Sequence, residues 1–208
     1  MAISESETWR VTFSKPFAHS VIDDFIPIEL VRRINDEWPK LPTEEGRHTF
    51  KKSSRGALGW AQSLNLGLGT QYVEDATGIK GLFIDPEMFG AGYHAVPRGG
   101  FLKMHVDFNR HPKGWMRRVN ALLYLNENWE EAWGGHLQLG IGAAAKLIAP
   151  IAGRCVIFET NGQSWHGHPH PLRCPADRER RSLAFYYYTE AGPESAEAHT
   201  TIYKKNAA

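Results

Sequence analysis

The second half of the chain carries a series of short apolar segments, and this series constrains the fold more than any other feature. Between residues 88 and 190, eight segments rich in aliphatic and aromatic side chains alternate with breaks at Gly, Pro and Asn. They read GYHAV, FLKMHVDF, RRVNALLYLN, HLQLG, AKLIAPI, GRCVIFE, SWHGH and RSLAFYYYT. Many short strands separated by turn signals are typical of an all-β sandwich or barrel, and eight is the strand number of a jelly roll. We therefore predict a mainly β protein with a jelly-roll core over about residues 88–190.

The first part of the chain shows a helical pattern instead. Within residues 27–38 (PIELVRRINDEW), the side chains of Leu30, Ile34 and Trp38 fall on one stripe at helical spacing, and Pro39 ends the run. This pattern predicts an amphipathic helix that lies outside the β core.

Farther along this first part, residues 41–56 are polar and loop-like, and residues 57–77 carry helical patterns that glycines interrupt. Because an amphipathic helix has to cover its apolar face, we expect the helices of about residues 1–87 to pack on one sheet of the β core. A length of 208 residues suits one domain, and we predict a single domain over residues 1–208.

The composition, 42% apolar and 23% charged, is ordinary for a globular protein. The net charge of +1 gives no bulk attraction to nucleic acid or to a membrane surface, and no apolar run reaches membrane-spanning length. The first ten residues, MAISESETWR, lack the apolar region of a signal peptide. We therefore expect a cytoplasmic protein that binds neither nucleic acid nor membranes. Of its two cysteines, Cys155 lies in the apolar run CVIF and is expected to be a buried thiol.

The segment FLKMHVDF places two candidate metal ligands on one side of a strand. Because side chains alternate between the two faces of a strand, His105 and Asp107 project to the same side. Two side chains at this spacing can reach one metal ion from a rigid strand. The alternative is a polar face that meets water, as is common in antiparallel sheets. The triplet His-x-Asp alone does not decide between the two.

The stretch SWHGHPHP follows the segment GRCVIFE and contains His166, His168 and His170. Two histidines and a carboxylate on a protein scaffold form the facial triad of non-haem Fe(II) oxygenases, so this stretch offers candidates for the third ligand. A zinc or nickel site formed by the three histidines alone is the alternative, although Pro169 and Pro171 break a strand there.

The segment RSLAFYYYT offers a basic residue to the same region. Arg180 directly precedes this segment. Alternation places Arg180 and Ser182 on one face of the strand and Arg181 on the other. An arginine at the head of an apolar strand is either a solvated end or a bidentate clamp for a carboxylate.

The segment RRVNALLYLN contributes a further face, which carries Arg118, Asn120, Leu122 and Tyr124. A tyrosine in a strand is most often a packing residue. However, a buried tyrosine hydroxyl needs a hydrogen-bond partner, and a bound carboxylate would provide one.

The motifs HVD, YLNENWEEAWGGHLQL, GRCVIFE, SWHGHP and RRSLAFYYY resemble, in this order, the 2-oxoglutarate and Fe(II)-dependent dioxygenases of the prolyl 4-hydroxylase-like branch. The resemblance covers about residues 88–190, and the segment FAHSVIDDFIPIELVRRINDEWP is similar to the lead-in of these enzymes. It implies a double-stranded β-helix, a cupin-like relative of the jelly roll, which agrees with the predicted strands.

The resemblance also implies roles for single residues. It assigns Fe(II) to His105, Asp107 and His166, with His168 two positions farther on as the alternative distal ligand. It assigns Arg180 to the distal carboxylate of the cosubstrate 2-oxoglutarate. The other cosubstrate contacts that we expect are Ser182, Tyr124, Asn120, which shares a strand face with Tyr124, and Leu137.

The implied reaction is the hydroxylation of an unactivated C–H bond by O2, coupled to the conversion of 2-oxoglutarate to succinate and CO2, with ascorbate as a reductant. The substrate would be a small molecule, an amino acid or a prolyl or peptidyl group. Its contacts are expected from residues 53–70 and from Asn109, Arg110, Trp115 and Arg117, although the alternative for these arginines is a solvated charge cluster. The rival function is a non-catalytic cupin-like module that binds a metal and a ligand.

Overall fold

The computed structural model describes residues 15–41, 51–54, 56–60, 62, 70–192 and 197–204. These residues form strands β1 to β12, in chain order His19–Ile22, Lys51–Ser53, Phe83–Ile84, Gly92–Pro97, Leu102–Val106, Met116–Tyr124, Leu137–Leu139, Lys146–Ile148, Cys155–Glu159, His166–His168, Glu179–Thr189 and Ile202–Tyr203. All eight predicted segments contain one of these strands, β4 to β11. The prediction of a mainly β fold is therefore confirmed.

The strands form two antiparallel sheets. One sheet has the order β1-β9-β6-β11-β4-β2, with β3 paired to the end of β11, and the other has the order β12-β5-β10-β7-β8. Apart from the consecutive pair β7 and β8, neighbours in each sheet are far apart in the sequence, as expected for a jelly roll rather than for a chain of hairpins. This crossing of the chain between the sheets brings β5, β10 and β11 close together, although His105 and Arg180 are 75 positions apart.

Alternation along β9 shows how the larger sheet is covered on both faces. Cys155 and Ile157 belong to the apolar cluster on the outer face, whereas Val156 and Phe158 belong to the cluster between the sheets. A strand that is buried on both faces has a continuous apolar sequence, and CVIF is such a sequence. Leu137 belongs to this inner cluster and also lines the cavity between the sheets.

The helices lie on the outer face of the larger sheet, as predicted. The first helix, α1 (Ile28–Asp36), matches the predicted helix, and its Val31 and Ile34 are fully buried. A helical turn at residues 57–60 and the second helix, α2 (Thr70–Thr77), contribute to the same apolar cluster. Short 3-10 helices occur at Glu131–Trp133 and Gly142–Ala144.

Three strands, β1 to β3, lie in the first part of the chain, where helices and loops were predicted. Each has only two to four residues, which is too short for a period-2 pattern to stand out, and each pairs with a longer strand of the core. β1 pairs with β9 from His19 to Ile22, and β2 pairs with β4. Residues 42–50, part of the predicted polar loop, lie outside the described residues.

Both cysteines are buried free thiols, which confirms the prediction for Cys155. Within the described part of the chain, no helix has the length and apolar character needed to cross a membrane.

Candidate active site

A cavity of about 700 Å³ opens between the two sheets. Strands from both sheets line it, and nearly all of the side chains singled out in the sequence are brought together there. The predicted site residues that line it are His105, Asp107, Asn120, Leu137, His166, Arg180 and Ser182. Tyr124 lies behind this lining, against Arg180.

The candidate metal ligands meet at one point of this cavity. β5 and β10 are neighbours, and their pairing puts His166 opposite His105. Asp107 follows directly after the end of β5, and its oxygens lie 3.5 Å from His105 Nε2 and 3.3 Å from His166 Nε2. One ligand atom from each of the three residues lies within 4.8 Å of the others.

Main-chain hydrogen bonds orient both histidine rings in the same way. His105 Nδ1 lies 2.8 Å from the carbonyl oxygen of Lys103, and His166 Nδ1 lies 2.8 Å from that of Ser164. A carbonyl only accepts hydrogen bonds, so each Nδ1 carries the proton and each Nε2 offers a lone pair toward the cavity. Burial and the neighbouring His105 lower the pKa of His166, which favours the neutral ring that a metal requires.

Two polar side chains hold the carboxylate of Asp107. Asn120 Nδ2 donates to Asp107 Oδ2 over 2.8 Å, and Arg117 Nη2 forms an ion pair with the same oxygen at 2.9 Å. Burial disfavours the charged carboxylate, but Arg117 and the two histidines outweigh this effect and hold the pKa of Asp107 well below its usual value. Two imidazole nitrogens and one carboxylate form the donor set of a facial Fe(II) site, so these residues fit that metal.

Arg117 corrects two predictions. Simple alternation placed Arg118 on the face of Asn120. In the structure, Val119 lies opposite Tyr187 of β11 and Arg117 lies opposite Tyr188, so Arg118 is the extra residue of a bulge. The bulge turns Arg117 toward the cavity in place of Arg118. Arg117 is also no member of a solvated charge cluster, because only 2% of it is exposed and its guanidinium stacks 3.4 Å from the centre of the Tyr186 ring.

Arg180 defines the other end of the cavity. It is 5% exposed, its Nε donates to the carbonyl oxygen of Gly135 over 2.7 Å, and one Nη donates to the hydroxyl of Tyr124 over 3.2 Å. These contacts leave further N–H groups of the guanidinium for an anion. Ser182 lies two positions farther along β11 on the same cavity wall. Burial raises the pKa of Tyr124 although Arg180 acts in the opposite direction, so the hydroxyl keeps its proton.

The three histidines of SWHGHPHP have three different environments. His166 belongs to the candidate metal group, whereas His168 is buried, lines the cavity and lies outside that group. His170 is exposed, beyond the end of β10. The structure therefore does not bring the three rings together, and a zinc or nickel site formed by them alone is wrong.

Most of the predicted substrate contacts lie elsewhere. Asn109 bonds to the main chain at Glu197 and His199, and Trp115 stacks on His111 with ring centres 4.7 Å apart. These residues and Arg110 are not part of the described cavity wall, whereas Arg117 is. Much of residues 53–70 lies outside the described residues.

Several wall residues were not anticipated from the sequence. Lys52 and His94 come from β2 and β4, and Phe89 and Phe108 come from connections between strands. The strand β12 pairs with β5, and the ring centres of Tyr203 and His105 are 5.6 Å apart. A two-residue strand gives no periodic signal, so alternation could not have found this contact.

Comparison with known proteins agrees with this geometry. Residues 91–188 match the family model of the 2OG-Fe(II) oxygenase superfamily. No curated protein is similar enough in sequence to match the chain.

Solved structures show the same fold. A prolyl-4-hydroxylase from Pseudomonas putida is 24% identical, with 84% of this chain and 93% of that chain covered and a TM-score of 0.56. HygX from Streptomyces hygroscopicus, with nickel and 2-oxoglutarate bound, is 13% identical, with 82% of each chain covered and a TM-score of 0.58. A viral collagen prolyl hydroxylase from Paramecium bursaria chlorella virus-1, in complex with 2-oxoglutarate, is 12% identical, with 83% and 96% covered and a TM-score of 0.56.

The predicted double-stranded β-helix is therefore confirmed, and the catalytic interpretation is favoured over a non-catalytic cupin-like module. Residues 91–188 match the 2OG-Fe(II) oxygenase superfamily, and with the clustered His-Asp-His donor set they identify this region as that of a 2-oxoglutarate-dependent Fe(II) dioxygenase.

Proposed function

We propose that His105, Asp107 and His166 hold the Fe(II) ion and that Arg180 binds the distal carboxylate of 2-oxoglutarate. The observation that carries this proposal is that one cavity contains both a clustered His-Asp-His donor set and a buried arginine on the opposite sheet. When bound, the iron and the cosubstrate supply the activation of O2 and the hydroxylation of a substrate C–H bond, with release of succinate and CO2.

The remaining side chains position these groups. Arg117 and Asn120 fix the carboxylate of Asp107, so the ligand does not have to be ordered when the metal binds. Gly135 and Tyr124 fix the guanidinium of Arg180, and Ser182 offers a hydroxyl donor on the same wall. Two apolar side chains, Leu122 and Leu137, line the cavity and exclude water there.

Metal binding and cosubstrate turnover test these roles. His105→Ala and His166→Ala should lose Fe(II) binding, measured anaerobically, and succinate formation from 2-oxoglutarate. His170→Ala should keep both, because His170 is exposed. If His166→Ala still binds Fe(II) like the wild type, the assignment of the distal ligand is wrong. A non-catalytic module would bind Fe(II) and 2-oxoglutarate but form no succinate with or without a substrate.

The substrate is proposed to be a small molecule or peptide that carries an acidic group. The cavity wall contains the basic residues Lys52, Lys103, Arg117 and Arg180, and among the described residues Asp107 is its one acidic member. Asp107 and the Arg117 paired with it are assigned to the metal site and Arg180 to the cosubstrate, so the charged side chains left on the described substrate side are Lys52 and Lys103. Phe89, Phe108 and Tyr186 supply apolar and aromatic surface beside them, which fits a substrate with an apolar body.

A paired panel of compounds tests the acidic group. Amino acids, N-acetyl amino acids and short peptides are each supplied as the free acid and as the amide, and the succinate formed is measured with the mass of the hydroxylated product. We expect acids to stimulate turnover more than their amides and Lys52→Met to remove this preference. Lys51→Met is the matched control, because Lys51 forms an ion pair with Glu179 at 2.9 Å and is not part of the described cavity wall. Equal stimulation by acids and amides would contradict the proposal.

A cytoplasmic location is part of the proposal. Two buried cysteines that stay unpaired support a reducing compartment. Fractionation of the native host, with detection of the untagged protein, tests this location.

A further inference from the structure

His168 is a buried polar side chain without a partner. It is 3% exposed, it lines the cavity, and neither of its ring nitrogens makes a hydrogen bond to another described residue. The nearby His105, His166 and Arg180 all have partners. Because buried polar groups in folded proteins are almost always hydrogen-bonded, this ring points to a ligand that completes its bonding.

The position of His168 indicates which ligand this is. His166 and His168 alternate on β10 and therefore face the same side of the strand, about 6.5 Å apart along it. His166 lies in the metal group, so His168 stands one step along the cavity wall from the metal site. It is close enough to Arg180 for the two to interact electrostatically. The space between the metal site and Arg180 is where the proposed function places 2-oxoglutarate.

We propose that His168 is a second cosubstrate residue, which donates a hydrogen bond to the distal carboxylate of 2-oxoglutarate beside Arg180. This inference rests on the proposed function, because it takes the place of 2-oxoglutarate from the roles of the metal group and Arg180. A neutral imidazole has one N–H donor, and a carboxylate has several acceptor sites for Arg180, Tyr124 and His168 together.

The chemistry of the ring fits this role. The ring is buried in the cavity wall that also contains Arg180, and a neutral imidazole adds a donor there without adding a charge. A second cation beside Arg180 would repel it, whereas a neutral donor does not. The ring also lies outside the group of atoms that cluster around Asp107, so it does not compete with His166 for the metal.

The donor should make the site selective for 2-oxo acids that have a distal carboxylate. With such a carboxylate in place, the ring gains its missing partner. With a shorter 2-oxo acid such as 2-oxobutyrate, the ring stays unpaired, and its presence gives no advantage.

The test compares His168→Leu, which removes the donor, with His168→Gln, which keeps an N–H donor, and with His170→Ala as the exposed control. Binding of 2-oxoglutarate and of 2-oxobutyrate is titrated anaerobically against Fe(II)-loaded protein by visible absorption. Fe(II) affinity is measured separately, and the melting temperature is recorded without metal or cosubstrate. None of these readouts depends on turnover.

We expect His168→Leu to weaken 2-oxoglutarate binding about tenfold or more, to leave 2-oxobutyrate binding and Fe(II) affinity unchanged, and to keep or raise the melting temperature. His168→Gln should regain much of the loss, and His170→Ala should behave as the wild type. Unchanged 2-oxoglutarate binding in His168→Leu, or an equal loss for both 2-oxo acids, would overturn the inference. A wild-type protein that fails to bind 2-oxoglutarate would instead overturn the proposed function on which it rests.

Discussion

Arg117 Nη2 forms an ion pair with Asp107 Oδ2 at 2.9 Å, and the same oxygen lies 3.3 Å from His166 Nε2. A cation thus stands directly behind the carboxylate that faces the metal site. It compensates the charge of Asp107 before a metal arrives and holds the carboxylate in one orientation. Asn120 links the two residues, since its Oδ1 accepts from Arg117 and its Nδ2 donates to Asp107.

Removal of Arg117 should therefore weaken metal binding. We expect Arg117→Met to lower Fe(II) affinity by about 10- to 100-fold, as is typical when a residue that holds a metal ligand is lost. Anaerobic titration with Fe(II), or with Ni(II) as an inert substitute, measures the effect. Arg118→Met on the same strand is the control and should bind the metal normally, because the bulge keeps Arg118 off the described cavity wall.

Replacement of Arg180 should act on the cosubstrate and leave the metal bound. We expect Arg180→Met to weaken 2-oxoglutarate binding at least 100-fold, because a buried charge-assisted pair is lost, with little change in Fe(II) affinity. The neighbouring Arg181 faces α1, where it bonds to Asn35 and lies over the Trp38 ring. Arg181→Met should therefore reduce stability but keep 2-oxoglutarate affinity, which the same titration reports. The opposite pattern would mean that the two arginines were assigned to the wrong faces of β11.

Substitution of two adjacent glycines distinguishes the cost of backbone strain from the cost of a steric clash. Gly134 and Gly135 both have a positive φ, +70° and +75°, and a Cβ at Gly135 would lie 2.6 Å from Leu172 Cδ2 and 3.1 Å from Arg180 Cδ. A Cβ at Gly134 would meet nothing within 4 Å. Gly134→Ala should cost about 1 to 3 kcal/mol of unfolding free energy from the backbone alone, because its φ of 70° and ψ of −143° are strained for any residue with a Cβ. Gly135→Ala should cost more and also weaken 2-oxoglutarate binding, because it displaces Arg180.

Chemical denaturation and cosubstrate titration of both glycine variants check this prediction. Equal losses of stability in the two variants would show that Leu172 and Arg180 move aside for the methyl group added at Gly135. Unchanged 2-oxoglutarate affinity in Gly135→Ala would show that Arg180 does not depend on this loop.

Stability of the metal-free protein should fall on mild acidification. Burial lowers the pKa of His19, His166 and His168, and it lowers that of His94 to about 4. Below the unfolded value of about 6.5, the unfolded chain therefore binds protons that the folded protein does not, and the unfolding free energy decreases with decreasing pH. His94 alone contributes a slope of up to about 1.4 kcal/mol per pH unit between about pH 6.5 and 4.

Urea unfolding at constant ionic strength, at pH 7, 6 and 5, measures this slope. His94→Gln should make it shallower, because one of the buried rings is gone. A stability that stays constant or rises over this interval would contradict the assignment of neutral rings in the folded protein.

The sequence predicted those parts of the fold and site that depend on strict alternation. For His105, Arg180 and Ser182, a period of two assigns the side of the strand that faces the cavity. Asp107 follows directly after β5 and continues this alternation, so its carboxylate lies beside His105. Arg118 was placed on the cavity face in the position that Arg117 occupies, because a bulge shifts the period by one residue and no pattern within β6 marks where the extra residue lies.

Other features depend on contacts between distant segments. Lys52 reaches the cavity through the pairing of β2 with β4, and Tyr203 reaches it through the pairing of β12 with β5. Strands of two or three residues carry too little information in their own sequence to reveal a partner. The separate roles of His166 and His168 likewise depend on the whole cavity, because both rings face the same side of β10.

The main-chain hydrogen bonds to His105 and His166 have a consequence for how such a site can evolve. A carbonyl oxygen is present whichever amino acid occupies the position, so the ring orientation at His105 does not depend on the exposed side chain of Lys103. Mutations at such supporting positions can accumulate without turning a ligand away from the metal. Selection on the metal centre is then confined to a small number of positions, and the surrounding sequence is free to drift. The prolyl hydroxylases compared above share the fold at only 12% and 24% identity. Such divergence is compatible with a site in which few side chains are constrained.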